Sequence, residues 1–256
     1  MTLDLQHAAQ RRMRRAVIAL VAMVLVLVAA LVVIAVRGDD SGNNKSPAAT
    51  PTESATAGPG PAPVQTLPPD EGDYVAPAKY VALPDGADRV GELPVKFPHT
   101  PEGAAAMAVA SSRNAWSFDP AKLKAGILAY SAAKYRDAMA ASAGDGATGN
   151  REFAGVPATG AIPPGAALNA WPIGVKWSAK GSDTVNVMVL LRVTSVPKEG
   201  AEPKTTLVVV PARAVWESGD WKGDPTDPMP LPDPVDIGTP KFNEDGWMAI
   251  QEGNRL

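Results

Sequence analysis

Residues 171–193 read Trp171-Pro172-Ile173-Gly174-Val175-Lys176-Trp177-Ser178-Ala179-Lys180-Gly181-Ser182-Asp183-Thr184-Val185-Asn186-Val187-Met188-Val189-Leu190-Leu191-Arg192-Val193. Trp171, Ile173, Val175 and Trp177 alternate with smaller or polar neighbours, the period of a half-buried strand. Ala179 to Asp183 supplies turn residues for a hairpin. Val185, Val187, Val189, Leu191 and Val193 then fall on one face of a second strand. Thr205 to Trp216 follows a polar connection and is β-branched and nearly continuous, which predicts a third strand buried on both sides. Ser218-Gly219-Asp220 turns the chain back into Trp221. An antiparallel meander is therefore expected.

Upstream the period is helical. Thr100-Pro101-Glu102 places a capping residue, a proline and an acid in the order that starts a helix, which runs through Ala104 to Ala110. Asp119-Pro120 repeats the signal. Leu123, Ile127, Leu128, Tyr135 and Met139 predict the apolar face of a second helix, with Lys122, Lys124, Lys134, Arg136 and Asp137 mostly opposite. Gly144-Asp145-Gly146 is read as its end. Helices first and a meander after predict an α+β domain, with helices on one face of a curved antiparallel sheet.

Working outward, Asp224-Pro225 to Pro234 is too rich in proline for a central strand. Trp247 to Ile250 is a last apolar patch suited to dock as a short tail. Before the domain, Tyr74-Val75 and Tyr80-Val81 are read as a first ordered arm. Gly38 to Pro69 consists mostly of Gly, Ser, Asn, Ala, Thr and Pro and buries too little to offset ordering entropy, so a disordered tether is expected. Ahead of it, Ala16 to Val36 is unbroken apolar sequence, about 32 Å long as a helix and sufficient to span a bilayer. The expected division is 1–15 cytoplasmic tail, 16–36 transmembrane helix, 37–92 tether and arm, 93–223 α+β domain and 224–256 proline-rich tail.

Arg11, Arg12, Arg14 and Arg15 precede the apolar run and Arg37 alone directly follows it. This asymmetry sets a cytoplasmic N-terminus and an extracytoplasmic domain in the cell membrane. The rival reading is a cleaved secretory signal. The core is long for one, and no small-x-small cleavage site lies just beyond it. With no cysteine, lipid acylation, disulfides and thiolate chemistry are excluded.

Of 24 basic and 27 acidic residues, four arginines and Asp4 precede the apolar run, leaving 20 against 26 outside. A net charge near −6 does not attract polyphosphate, so direct nucleic-acid binding by the external domain is not expected. The tail arginines instead face anionic lipid heads of the bilayer. His99, the one histidine beyond the membrane segment, sits in the turn Phe97-Pro98-His99-Thr100-Pro101 and is read as a loop residue. No phosphate loop or nucleophile elbow is present. The acid pairs Asp39-Asp40 and Asp70-Glu71 lie in sequence too flexible to fix a catalytic distance. No catalytic, metal or cofactor-binding residue is assigned, and no cofactor is expected. The tryptophans are the strongest candidates for a role beyond scaffold. Trp171, Trp177, Trp216 and Trp221 either fill the space between helices and sheet or form a ligand pocket or interface.

The stretches "FPHTPEGAAAMAVA" (97–110), "SFDPAKL" (117–123) and "WESGDWKG" (216–223), with the tail, anchor and stalk before them, resemble a known layout. It is that of membrane-anchored proteins with a nuclear-transport-factor-two-like (cystatin-like) fold. The match is similar to the single-pass scaffold component of type IV secretion systems and its conjugation counterparts in high-GC Gram-positive bacteria. The resemblance covers about Leu93 to Gly223. It implies a cone-like domain that is not an enzyme. It also implies partners among secretion-apparatus proteins, with self-association left open. Enzymatic members of the fold use a buried acid, Tyr or His, and no such set is placed here. Two other readings stand beside it: an accessory protein of envelope transport or wall assembly, and an extracytoplasmic enzyme or small-ligand binder with a Trp-lined cone.

The arginine asymmetry yields a direct expectation. Protease added to intact protoplasts should remove a C-terminal tag and spare an N-terminal one. The reverse pattern, or a mature chain starting near Arg37, would contradict the anchor.

Overall fold

The computed structural model describes residues 74–226 and 229–251. The expected tail with Arg11, Arg12, Arg14 and Arg15, the anchor and most of the tether lie outside the described residues. Eight strands are formed: β1 Tyr80–Val81, β2 Asp88–Val90, β3 Leu93–Val95, β4 Ala167–Ala179, β5 Thr184–Val196, β6 Lys204–Glu217, β7 Asp220–Asp224 and β8 Met248–Ile250. The helices are α1 Pro101–Asn114, α2 Pro120–Tyr130, α3 Ala133–Ala141, α4 Ala143–Phe153 and α5 Pro240–Glu244. The main sheet runs β1-β8-β4-β5-β6-β7, and β2-β3 forms a separate hairpin. The fold is α+β, with helices packed against a mixed sheet.

The three long strands stand where the sequence placed them, and β5 presents Val185, Val187, Val189, Leu191 and Val193 to one core, each at most 1% exposed. Burying each such side chain contributes roughly 1.5–3 kcal/mol. α1 lies on this face through Ala104 to Ala108, all buried. Small side chains let the helix backbone come close to the valine surface. Thr100 caps α1 by accepting the Gly103 N–H at 3.1 Å, and Asp119 caps α2 through the Ala121 N–H at 2.8 Å. Gly103 is obligatory at the start of α1, since a Cβ there would lie 1.9 Å from the Pro98 carbonyl oxygen.

Several expectations are corrected. Trp171, Ile173, Val175 and Trp177 do not share one face. The β4–β5 register shifts between Pro172 and Gly174, so Val175 and Trp177 join the helix-side core while Ile173 joins the opposite one. A β-bulge inserts one residue and inverts the alternation beyond it. The second helix does not continue to Met139. It stops at Tyr130, where Ser131 turns extended and bridges to Gly223, and Ala132 donates to the Gly223 carbonyl at 2.9 Å. α3 then starts under the Glu217 carboxylate, which accepts the Ala133 N–H at 3.1 Å. Gly144-Asp145-Gly146 lies inside α4 rather than ending a helix.

The sheet is also not purely antiparallel, because β1 pairs in parallel with β8. β8 pairs antiparallel with Gly174 and Val175 of β4. Residues 80–81 and 248–250 thus belong to the sheet, and the folded unit extends on both sides of the expected 93–223. The arm and docking tail are real, but as strands. Val235, Phe242 and Trp247 come from the proline-rich tail and cover the second face with Ile173, Leu190 and Val209. No helix among the described residues is long and apolar enough to cross a membrane.

α4 is the least favourable helix on intrinsic grounds. Gly144 and Gly149 have open space where a Cβ would go, and both take helical backbone. Gly144→Ala and Gly149→Ala should each stabilise the domain by about 0.5–1 kcal/mol, read as a raised urea midpoint. A lowered midpoint would show that a methyl group at these positions disrupts a close contact.

Candidate functional site

Two of the four candidate tryptophans meet. The β6–β7 hairpin brings Trp216 opposite Trp221, with ring centroids 5.3 Å apart and planes at 71°. The hairpin turn needs left-handed backbone at both central residues, and Ser218 (φ 54°) and Gly219 (φ 81°) supply it. His99 lies in a loop as expected, and there it stacks on Trp216 at 4.0 Å and 11°, which makes it part of an aromatic stack. Its Nε2 lies 2.9 Å from Asp183 Oδ1 and 3.1 Å from the Ser182 carbonyl oxygen, tying the start of α1 to the β4–β5 turn. Trp221 is fully buried and donates its indole N–H to the Pro98 carbonyl at 2.8 Å. Trp216 and Trp177 are half-buried against the same core.

Trp171 lies elsewhere. It is 43% exposed on β4, with the Arg113 guanidinium 5.0 Å from its ring centre. The four indoles therefore line no common pocket. Trp221 is core, Trp216 and Trp177 border it, and Trp171 is surface.

The polar centre of the cluster is Asp220, 5% exposed at the start of β7. Its Oδ1 accepts the backbone N–H of Phe97 at 3.0 Å and of Trp221 at 2.9 Å. Its Oδ2 accepts from Lys222 Nζ at 2.9 Å, and Lys222 also donates to the Ala129 carbonyl at 2.7 Å. Lys96, next to Phe97, takes a left-handed φ of 58° and pairs with Asp88 at 2.8 Å across the base of the β2–β3 hairpin. Hydrogen bonding to Lys96 holds the Asp88 carboxyl below its ordinary range. Lys96 and Ser218 are the non-glycine residues with positive φ among the described residues, and both flank this cluster. Such conformations cost on the order of 1–3 kcal/mol and persist only where surroundings fix them.

Tyr130 closes the group at the end of α2. It is 2% exposed, and its hydroxyl has no hydrogen-bond partner in the structure. Burial first, then the Asp220 charge, push the phenol up to about 12, against the Arg89 charge. Sequence reading missed Asp220, Lys222 and Tyr130. The one legible signal was the i, i+2 spacing of Asp220 and Lys222, which puts both on one face of a strand.

No protein-family model matches the chain, no curated protein matches it, and no solved structure matches it.

The buried phenol gives a signed pH dependence. The unfolded chain releases this proton near its ordinary value of 10.0 and the folded chain near 12. Stability from this group is therefore fully present below pH 10 and falls, by on the order of 2–3 kcal/mol, as pH rises toward 12. Urea midpoints at about pH 9 and about pH 11.5 should show an excess loss in the native chain over Tyr130→Phe. Equal losses would contradict the assignment.

Proposed function

We propose that the chain is a noncatalytic, membrane-anchored scaffold or accessory protein of a secretion or conjugative transfer apparatus. Residues 16–36 hold it in the membrane and its external domain works by contact. The observation that carries this is the state of Asp220. A buried acid and a buried phenol lie near each other here, as they can in enzymes, yet both Asp220 oxygens are engaged by Phe97, Trp221 and Lys222, and His99 is turned to Asp183 instead. A carboxylate accepting two backbone N–H groups and an ammonium is arranged to join segments of the chain. The secretion and conjugation assignment, and the cone-like form that goes with it, rest on the resemblance of layout between Leu93 and Gly223.

One observation favours the enzyme or small-ligand reading. The Tyr130 hydroxyl is buried beside Asp220 without a partner. Buried polar groups are nearly always satisfied, and an exception marks either an ordered water or a functional group.

Mating assays separate the readings. In cells lacking the gene, transfer should be restored by the full chain and by its His99→Ala variant, but not by residues 1–73 alone. Unchanged transfer after gene deletion would remove the scaffold reading. Loss of transfer in His99→Ala, in a domain that melts normally, would put the enzyme reading in its place.

A further inference from the structure

We infer that the outer edge of β4 at Ala167–Trp171 is a strand-addition site for an extended peptide carrying a carboxylate, with Arg113 and Trp171 as its anchor. β8 pairs with β4 only at Gly174 and Val175, and among the described residues no strand lies beside β4 before that point. The free edge is five residues long, about 16 Å at strand rise. Every second residue turns its N–H and C=O outward, the pattern an added strand needs. Ala167, Asn169 and Trp171 are exposed along it. Pro172 has no N–H to offer and ends the usable edge on that side.

Charge selects the occupant. Residues 167–173 carry none. The cation set against this edge is Arg113, exposed in the last turn of α1, with its guanidinium over the Trp171 ring. Among the described residues no hydrogen bond or ion pair engages the Arg113 guanidinium. An unpaired guanidinium stacked on an exposed indole keeps its planar fork of donors oriented for a carboxylate, and this residue pair is typical of interface anchors. A basic strand would meet repulsion, and a neutral one would leave the guanidinium unused.

The inference deepens the contact reading above and rests on it. Its test needs no transfer assay, so the two fail separately. Full chain in nanodiscs is titrated into fluorescein-labelled eight-residue peptides of alternating Thr and Val with Glu, Gln or Lys at the centre, read by anisotropy. The Glu probe should bind at least about 10-fold more tightly than the Lys probe. Arg113→Glu, at an exposed position, should reverse that order in a variant shown by its melting curve to be folded, and Trp171→Ala should weaken the Glu probe with the melting temperature unchanged. Equal binding of the Glu and Lys probes, or an order unaltered by Arg113→Glu, overturns the inference. Two further outcomes overturn it by naming another occupant. One is a dimer in sedimentation that Arg113→Glu dissociates, meaning a second copy. The other is probe binding seen only after removal of residues 252–256, meaning the chain's own end.

Discussion

One carboxylate joins the parts of this domain that sequence alone leaves separate. Asp220 holds the backbone of Phe97, just ahead of α1, against the start of β7, and through Lys222 it reaches the end of α2 at Ala129. Removing two charges from water is expensive, and the bonds to backbone N–H and C=O groups are what offset that cost. The strained residues Lys96 and Ser218 sit on either side of it. Once Phe97 is fixed, Pro98 and His99 are placed to take the Trp221 indole N–H and to stack on Trp216. The aromatic cluster follows from the polar one.

The apolar core supplies the bulk of the stability and depends on close approach. A run of buried alanines on α1 faces the valine side of β5, so the helix sits low on the sheet. The second face is covered by the irregular segment before β8, through Val235, Phe242 and Trp247. Where β8 and β7 leave β4 and β6 unpaired, each strand carries a proline, Pro172 and Pro211. Prolines at open edges limit uncontrolled strand pairing, which leaves short usable stretches rather than long ones.

What was legible in the sequence was what is local. The caps at Thr100 and Asp119 act on amides two or three residues away, and β5 alternates without interruption, so both could be read directly. The β4 bulge was not legible, because Pro172 and Gly174 in a strand do not say which side gains the extra residue. Gly144 and Gly146 resemble a helix end, yet α4 runs through them, with Ala143 and Ala147 packed against Leu123 of α2. β1 and β8 are two and three residues long and exist only because they pair with each other and with β4. Asp220 looked like a turn residue because its main partner is 123 positions away. In the candidate site, the tryptophans were visible as residue types, but the division into core and surface depends on the same nonlocal contacts.

The proposed contact role rests on a cluster whose acid is engaged in holding segments of the fold together. The most direct test is the unfolding free energy of Asp220→Ala in urea. If the carboxylate is the structural joint, the variant loses about 3–5 kcal/mol, because the Phe97 and Trp221 N–H groups lose their acceptor and the half-buried Lys222 keeps only the Ala129 carbonyl. Amide exchange at Phe97 should accelerate with it. Unchanged stability, with Phe97 still protected, would contradict that role and return Asp220 to the chemistry of a site.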